Sequence, residues 1–291
     1  MNGILILNKP AGCTSFEAVR SVGRLFSREK AGHAGTLDPM ATGVLPVLLG
    51  RATKLLQYLP ESGKEYIADI AFGVGTDTGD YEGKPDRTTD ILPDRASWDR
   101  AVQSRTGKQM QIPPMYSAIK KDGKPLYELA RKGVEIEREP REIEVTRLET
   151  LSFSPEGARI AVSCSAGTYI RTLAEDLAAD CGTFAHLTAL QRTAACGFTL
   201  DDAVTPEELE RAEDPAVFVK TPEIPFLNCP AVTLDGNLTR LFLNGFVFPA
   251  GRAGAASLSG FVRVYYEDRF LGIGAVDRER NLKKCWQAET A

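Results

Sequence analysis

Between Gly32 and Pro46 the chain reads Gly-His-Ala-Gly-Thr-Leu-Asp-Pro-Met-Ala-Thr-Gly-Val-Leu-Pro, a run that few backbone paths accommodate. Its three glycines open backbone angles closed to other residues, and its two prolines fix φ and remove amide donors. The segment is therefore predicted to be an over-determined loop, and loops of that kind hold reacting groups. It frames a single carboxylate, Asp38, which becomes the candidate reacting group. Taken alone, Asp38-Pro39-Met40-Ala41 reads more simply as a helix start, with the Asp as cap and the Pro at the first helical position.

Local patterns place this run between recognisable elements. Ile4 to Leu7 reads as a short buried strand, and Thr14-Ser15-Phe16-Glu17 as a capping box opening a helix toward Phe26 with Val19, Val22 and Phe26 on one side. Alternation from Lys64 to Phe72 predicts a strand with Lys64, Tyr66, Ala68, Ile70 and Phe72 on one face. The acidic, Gly-rich stretch from Gly73 to Asp80 lacks the spacing of a dinucleotide fingerprint and reads as a surface loop. Ile160, Val162 and Cys164 alternate up to Gly167. Then Ile170, Leu173, Ala174, Leu177 and Ala178 repeat at helical spacing, with Thr168 as the expected N-cap and Arg171 in the first turn. A cation there opposes the helix dipole and calls for a partner of opposite charge. Asp201 to Pro230 is acidic, contains five prolines and suits a connector. Phe261 to Tyr266 and Phe270 to Val276 flank a predicted hairpin turn.

The net charge of −4 is unevenly distributed. Residues 1–54 carry +4 and residues 105–132 carry +5, against −5 over 61–102 and −6 over 201–225. Basic segments thus coincide with the unusual loop and with a Pro-Pro stretch beside Lys120, Lys121 and Lys124, a polarity that can steer a polyanion to one face, although charge alone describes solvated faces as well. Six scattered cysteines without a Cys-x-x-Cys pair, and only two histidines, predict reduced thiols and no metal site. No apolar run approaches the roughly 20 residues of a membrane span. The N-terminal residues lack signal-peptide character, so a cytoplasmic location is expected.

The stretch His33 to Leu45, with Gly3 to Pro10 and Gly50 to Lys54 around it, resembles the motif at the catalytic aspartate of pseudouridine synthases, and most closely the TruB family, the tRNA pseudouridine-55 synthases. The resemblance recurs at Lys64-Glu65-Tyr66, Ile112 to Lys120, Gly167 to Leu173 and Ala185 to Leu190, five blocks in family order over roughly residues 3–200. It implies a mixed α+β fold with a large, mostly antiparallel sheet bearing a central cleft, followed by a small PUA-like β domain. Residues 1–225 would form the catalytic domain, with 104–144 as an RNA-gripping insertion, and 226–291 the tail. There, Arg263, Lys283, Lys284 and Trp286 read as surface charge and a core tryptophan.

The same resemblance makes Asp38 the nucleophile and Arg171 the cation that keeps it ionised. Tyr66 would stack on a flipped base and relay a proton, Tyr169 line the pocket, Leu190 pack behind the base, and His33 fill the space the base vacates. Lys64 shares a strand face with Tyr66 and is expected to bind substrate, as is Lys120 in the insertion. Lys9, Arg20, Arg24 and Lys30, in the positive N-terminal segment, are phosphate-contact candidates. The implied reaction needs no cofactor. Its implied partner is the T-arm stem-loop of tRNA, with no membrane, no obligate protein partner and a monomeric enzyme. Two other readings follow from the same residues: a synthase that takes its target from a guide RNA, and a non-catalytic tRNA-binding or tRNA-folding protein. Ala166 and Gln191-Arg192 stand where the family often has basic residues, which bears on RNA grip. Cys196-Gly197-Phe198 replaces a common Gly-Pro-Phe, which bears on a local turn.

Overall fold

The computed structural model describes residues 1–60, 62–121 and 123–288. The chain enters as β1 (Gly3–Lys9), whose alternate residues serve two cores. Leu5 and Leu7 face one apolar cluster, Ile4 and Ile6 a second one behind the sheet. A strand buried on both faces reads as a continuous apolar run, which Ile4-Leu5-Ile6-Leu7 is. Helix α1 (Ser15–Leu25) begins as expected: Glu17 N donates to Thr14 Oγ1 at 3.1 Å and Thr14 N donates to Glu17 Oε2 at 2.8 Å. Its Val19 and Val22, with Phe26 at its end, are buried. Then β2 (Ala31–His33) and β3 (Thr42–Leu49) pair with each other, and β3 pairs antiparallel with β1.

The predicted strand over Lys64–Phe72 is β4, with its even-numbered residues inward. It is followed by β5 (Val74–Thr76), β6 (Pro85–Thr88), α2 (Arg95–Ser104) and β7 (Gly107–Gln111). After β8 (Lys120–Lys121), β9 (Lys124–Pro125) and α3 (Leu126–Ala130), the chain returns through β10 (Arg141–Ser154) and β11 (Gly157–Cys164). Helix α4 (Ile170–Asp180), β12 (Ala185–Ala195) and β13 (Phe198–Thr199) complete the large unit. The main sheet runs β1-β3-β12-β4-β11-β10-β7, with β2 beside β3 and β13 beside β12. Every pair in it is antiparallel except β12 with β3, joined through Gln191↔Thr42 and Arg192↔Gly43. That junction fixes the Asp38 loop against the centre of the sheet. Gly43 has φ 102°, and a Cβ there would run into the Arg192 carbonyl, so this approach requires glycine.

Three local expectations change. Gly73 to Asp80 is not a plain surface loop, since β5 pairs with β6 and the Asp80 side chain is buried. Thr78 Oγ1 donates to Asp80 Oδ1 at 2.6 Å, turning the carboxylate inward. In the span 104–144, β7 and the start of β10 belong to the main sheet, so the excursion from it covers only 112–140. The proline-rich 201–230 is no free connector: Val204 and Lys220 exchange backbone hydrogen bonds of 2.8–2.9 Å with β1 and cover that edge of the sheet. Within it α5 (Pro206–Arg211) starts from a Thr205 cap.

The tail comprises β14 (Ala231–Leu234), α6 (Gly236–Leu243), β15 (Phe248–Pro249), β16 (Gly260–Tyr266), β17 (Arg269–Val276) and β18 (Asn281–Gln287), in sheet order β14-β16-β17-β18-β15. The predicted hairpin is β16–β17, turning with Glu267 at φ 51°. Ile273 and Trp286 pack with Ile4, Ile6, Val44 and Leu48, and Trp286 Nε1 donates to Arg51 O at 3.0 Å. Arg263 is held by Glu223 at 2.9 Å.

Candidate active site

Asp38 follows β2 in a loop that does not become a helix. Ala41 N donates to Asp38 O at 3.1 Å, closing a tight turn over Pro39-Met40, and the chain then enters β3. Ser15, at the start of α1, secures the preceding residue: its Oγ donates to Leu37 O at 2.9 Å and accepts from Leu37 N at 2.8 Å. The carboxylate is thereby aimed into a cleft of about 220 Å³ lined by Thr36, Lys64, Tyr66, Tyr116, Tyr169, Arg171 and Leu190, among others.

Arg171 meets Asp38 from the first turn of α4. Its Nε lies 2.9 Å from Asp38 Oδ2 and its Nη2 3.2 Å from Oδ1, a two-point pairing. The guanidinium also donates to Thr78 O at 2.6 Å and to Tyr116 O at 2.8 Å, and stands 3.8 Å from Asp80 Oδ2. Its side chain is 4% exposed, whereas that of Asp38 is 32% exposed, so the anion's free edge faces the cleft. Burial pushes the Asp38 carboxyl above its ordinary range, Arg171 pulls it back, and Asp80 adds to the upward push. The cation placed against the helix dipole thus has its partner in Asp38, with Asp80 behind.

Helix α4 is capped differently from the expectation of Thr168. Tyr169 is the N-cap and makes no side-chain cap; instead Gln111 supplies both bonds from β7, its Oε1 accepting from Tyr169 N at 2.9 Å and its Nε2 donating to Tyr169 O at 3.0 Å. A residue 58 positions away does what a local hydroxyl was expected to do.

Of the other predicted site residues, Tyr66, Lys64, Tyr169 and Leu190 line the cleft with Asp38. Cross-strand register explains it: Tyr66 faces Arg192 and Ala68 faces Leu190 across β4 and β12. Burial pushes the Tyr66 phenol up to about 12, so it stays protonated at neutral pH. Burial and the Arg192 charge push the Lys64 ammonium down. His33 and Lys120 lie outside the cleft. His33 ends a neighbouring groove between α1 and β2, rimmed by Phe16, Arg20, Arg24 and Arg28, and burial with the Arg192 charge lowers its pKa. Lys120 is exposed on the 112–140 excursion.

Lys9 is a correction. It is 0% exposed, and its ammonium donates to the carbonyls of Cys13 at 2.7 Å, Pro10 at 2.8 Å and Pro39 at 3.2 Å, so it braces the loop and presents nothing to a phosphate. Arg192, in the Gln191-Arg192 pair, is fully buried beneath the loop and so unavailable for RNA grip. Arg20, Arg24 and Lys30 are exposed, as a phosphate contact requires. Sequence reasoning missed Asp80, Gln111 and Tyr116; one acid among several in a Gly-rich stretch and a Gln shortly before Pro-Pro carry no local sign of such partners. Among the described residues no three His, Cys, Asp or Glu side chains converge as metal ligands, and no helix is long and apolar enough to cross a membrane.

Comparison with known proteins gives the same assignment from two directions. Residues 23–170 match the TruB family pseudouridylate synthase N-terminal domain, and residues 230–283 the C-terminal domain of pseudouridine synthase II TruB. The chain is 45% identical to tRNA pseudouridine synthase B of Aromatoleum aromaticum over 95% of its own length and 89% of that protein. It is 44% identical to the protein of the same name from Pseudomonas aeruginosa, over 95% and 92%. Among solved structures, one in a Cbf5-Nop10-Gar1 complex is similar with a TM-score of 0.71 at 26% identity, covering 94% of this chain and 78% of that one.

Proposed function

Since this chain belongs to the TruB family of pseudouridylate synthases, we propose that it isomerises the T-arm uridine of tRNA, at position 55, to pseudouridine, acting alone and as a monomer. The observation that carries the reading is the two-point Asp38–Arg171 pair at the floor of a cleft walled by tyrosines. The reaction cuts the bond from ribose C1′ to uracil N1 and rejoins the base through C5. It needs an ionised carboxylate at the sugar–base unit while the base is retained. Arg171 favours that form against the burial that opposes it.

The uridine must leave its RNA stack to enter, at a cost of a few kcal/mol. Tyr66, Tyr169 and Leu190 offset part of this by packing the base, and the neutral Tyr66 hydroxyl serves as proton donor or acceptor. Lys64 offers a half-buried cation to a base carbonyl or phosphate. His33, five residues before Asp38, faces RNA at the cleft's flank, and the groove bearing Arg20 and Arg24 continues the backbone path past it. Lys120 grips from the 112–140 excursion, and the tail adds a further RNA-binding surface.

The relatives at 44–45% identity are named for tRNA, which favours a tRNA substrate over one chosen by a guide RNA. Incubation of the purified protein with an unmodified tRNA transcript, followed by mapping of pseudouridine, tests this. Conversion confined to the T-arm uridine is expected. Conversion only after guide RNA and further proteins are added would overturn it.

A further inference from the structure

We infer that Arg192 is a positioning residue for the reaction, its guanidinium fixing the Asp38 loop from beneath and so setting where the carboxylate stands when the uridine arrives. The inference rests on the proposed isomerisation and assigns a part in it to a side chain that touches no substrate.

Arg192 is 0% exposed. A fully buried arginine is uncommon unless its donors are taken up, and here one guanidinium bridges both arms of the loop. Nε donates to Val44 O at 2.8 Å on the exit arm, while Nη2 donates to Gly35 O at 3.0 Å and Nη1 to Thr36 O at 3.3 Å on the entry arm. Asp38 lies between those arms. The base of the clamp is rigid, because Arg192 sits at the parallel junction with Gly43 and directly across from Tyr66. Leu190, two residues earlier on the same strand, lines the cleft. One segment of β12 thus holds the loop from below and walls the base pocket from the side.

No carboxylate lies within ion-pair reach of Arg192 among the described residues, so its donors meet carbonyls and its charge acts on its neighbours. It disfavours the protonated forms of His33 and Lys64 and favours ionisation of Tyr66. A lysine could keep the charge without bridging three carbonyls, and a glutamine could keep some hydrogen bonding without the charge. The two variants separate geometry from charge.

The experiment compares wild type, Arg192→Lys and Arg192→Gln by tritium release from 5-tritiated-uridine tRNA, in single turnovers at saturating enzyme, alongside tRNA affinity. A displacement of about 1 Å at the reacting group costs on the order of 10²-fold. Neither side chain can span both arms of the loop, so Arg192→Gln and Arg192→Lys are both expected to slow the saturated step by about that factor, with tRNA affinity changed by no more than about threefold, whereas a charge effect alone would slow only Arg192→Gln. Histidine NMR supplies the second readout. With His33 and His186 the only histidines, the His33 midpoint should rise in Arg192→Gln while His186 stays put.

Wild-type rate in Arg192→Gln would overturn the inference. So would a defect confined to affinity, or an unmoved His33. If neither variant folds, the role is structural and the inference fails. No release by wild type would instead refute the isomerisation itself, and the inference with it.

Discussion

Replacing Arg171 by Gln should slow the chemical step severely and make it more sensitive to acid. The Asp38 carboxylate would lose bonds of 2.9 and 3.2 Å to the guanidinium. A hydrogen bond to a charged group contributes about 1.5–3 kcal/mol. If both act in the transition state, about 3–6 kcal/mol is lost, roughly 10²–10⁴-fold in rate at 1.36 kcal/mol per decade. The carbonyls of Thr78 and Tyr116 lose a shared donor as well. Direction with pH follows from the charges. Burial and Asp80 already hold the Asp38 carboxyl above its ordinary range, and Arg171 is the largest opposing influence. Its removal raises that pKa further, so the pH below which Asp38 is protonated and inactive moves upward. The loss should then be deeper at pH 6 than at pH 8.5. Single-turnover tritium release across that interval reads both effects, and Arg171→Lys, which keeps a charge but not two-point geometry, should fall between. A saturated rate for Arg171→Gln within a few-fold of wild type, with an unmoved acid limb, would refute the reasoning.

Asp80→Asn should shift the acid limb the other way, since Asp80 raises the Asp38 pKa; its rate should fall about ten- to a hundredfold as Arg171 loses a neighbouring anion, and an upward shift of the limb would contradict the assignment. Reversing charge at Arg20 and Arg24, on the groove beside His33, should weaken tRNA binding and flatten the slope of its salt dependence by about 0.7–0.9 for each phosphate left without its cation, measured by titration at several salt concentrations. Trp98→Ala should cost about 3–5 kcal/mol in urea unfolding, because Trp98 is wholly buried against Phe72 and Phe153 and bonds Thr150; a cost under about 1 kcal/mol would contradict that packing.

What is legible in the sequence is what depends on neighbours along the chain. Alternation sets the bounds of Lys64–Phe72 and the face that carries Tyr66, a four-residue box starts α1, and the stripe from Ile170 to Ala178 places α4. The Asp38 run announces a constrained loop because its glycines and prolines restrict the backbone wherever they stand. The polar partners are harder, because a charged residue does not state in its own surroundings whether it will be buried. Lys9 reads as a phosphate-contact candidate and Arg192 carries no local sign of burial, yet both lie beneath the Asp38 loop on main-chain carbonyls that only the fold brings together. Asp80 reads as part of a solvated acidic stretch, yet it stands 3.8 Å from Arg171. Gln111 caps a helix from another strand, which no local pattern records.

The central claim is that Asp38 carries out uridine isomerisation. Because C5 must release its hydrogen when it bonds C1′, tritium release from 5-tritiated-uridine tRNA, measured for wild type beside Asp38→Asn, tests it most directly. Stoichiometric release by wild type and none by the variant, with tRNA binding intact in both, is the predicted result. Release by Asp38→Asn at the wild-type rate would contradict the account.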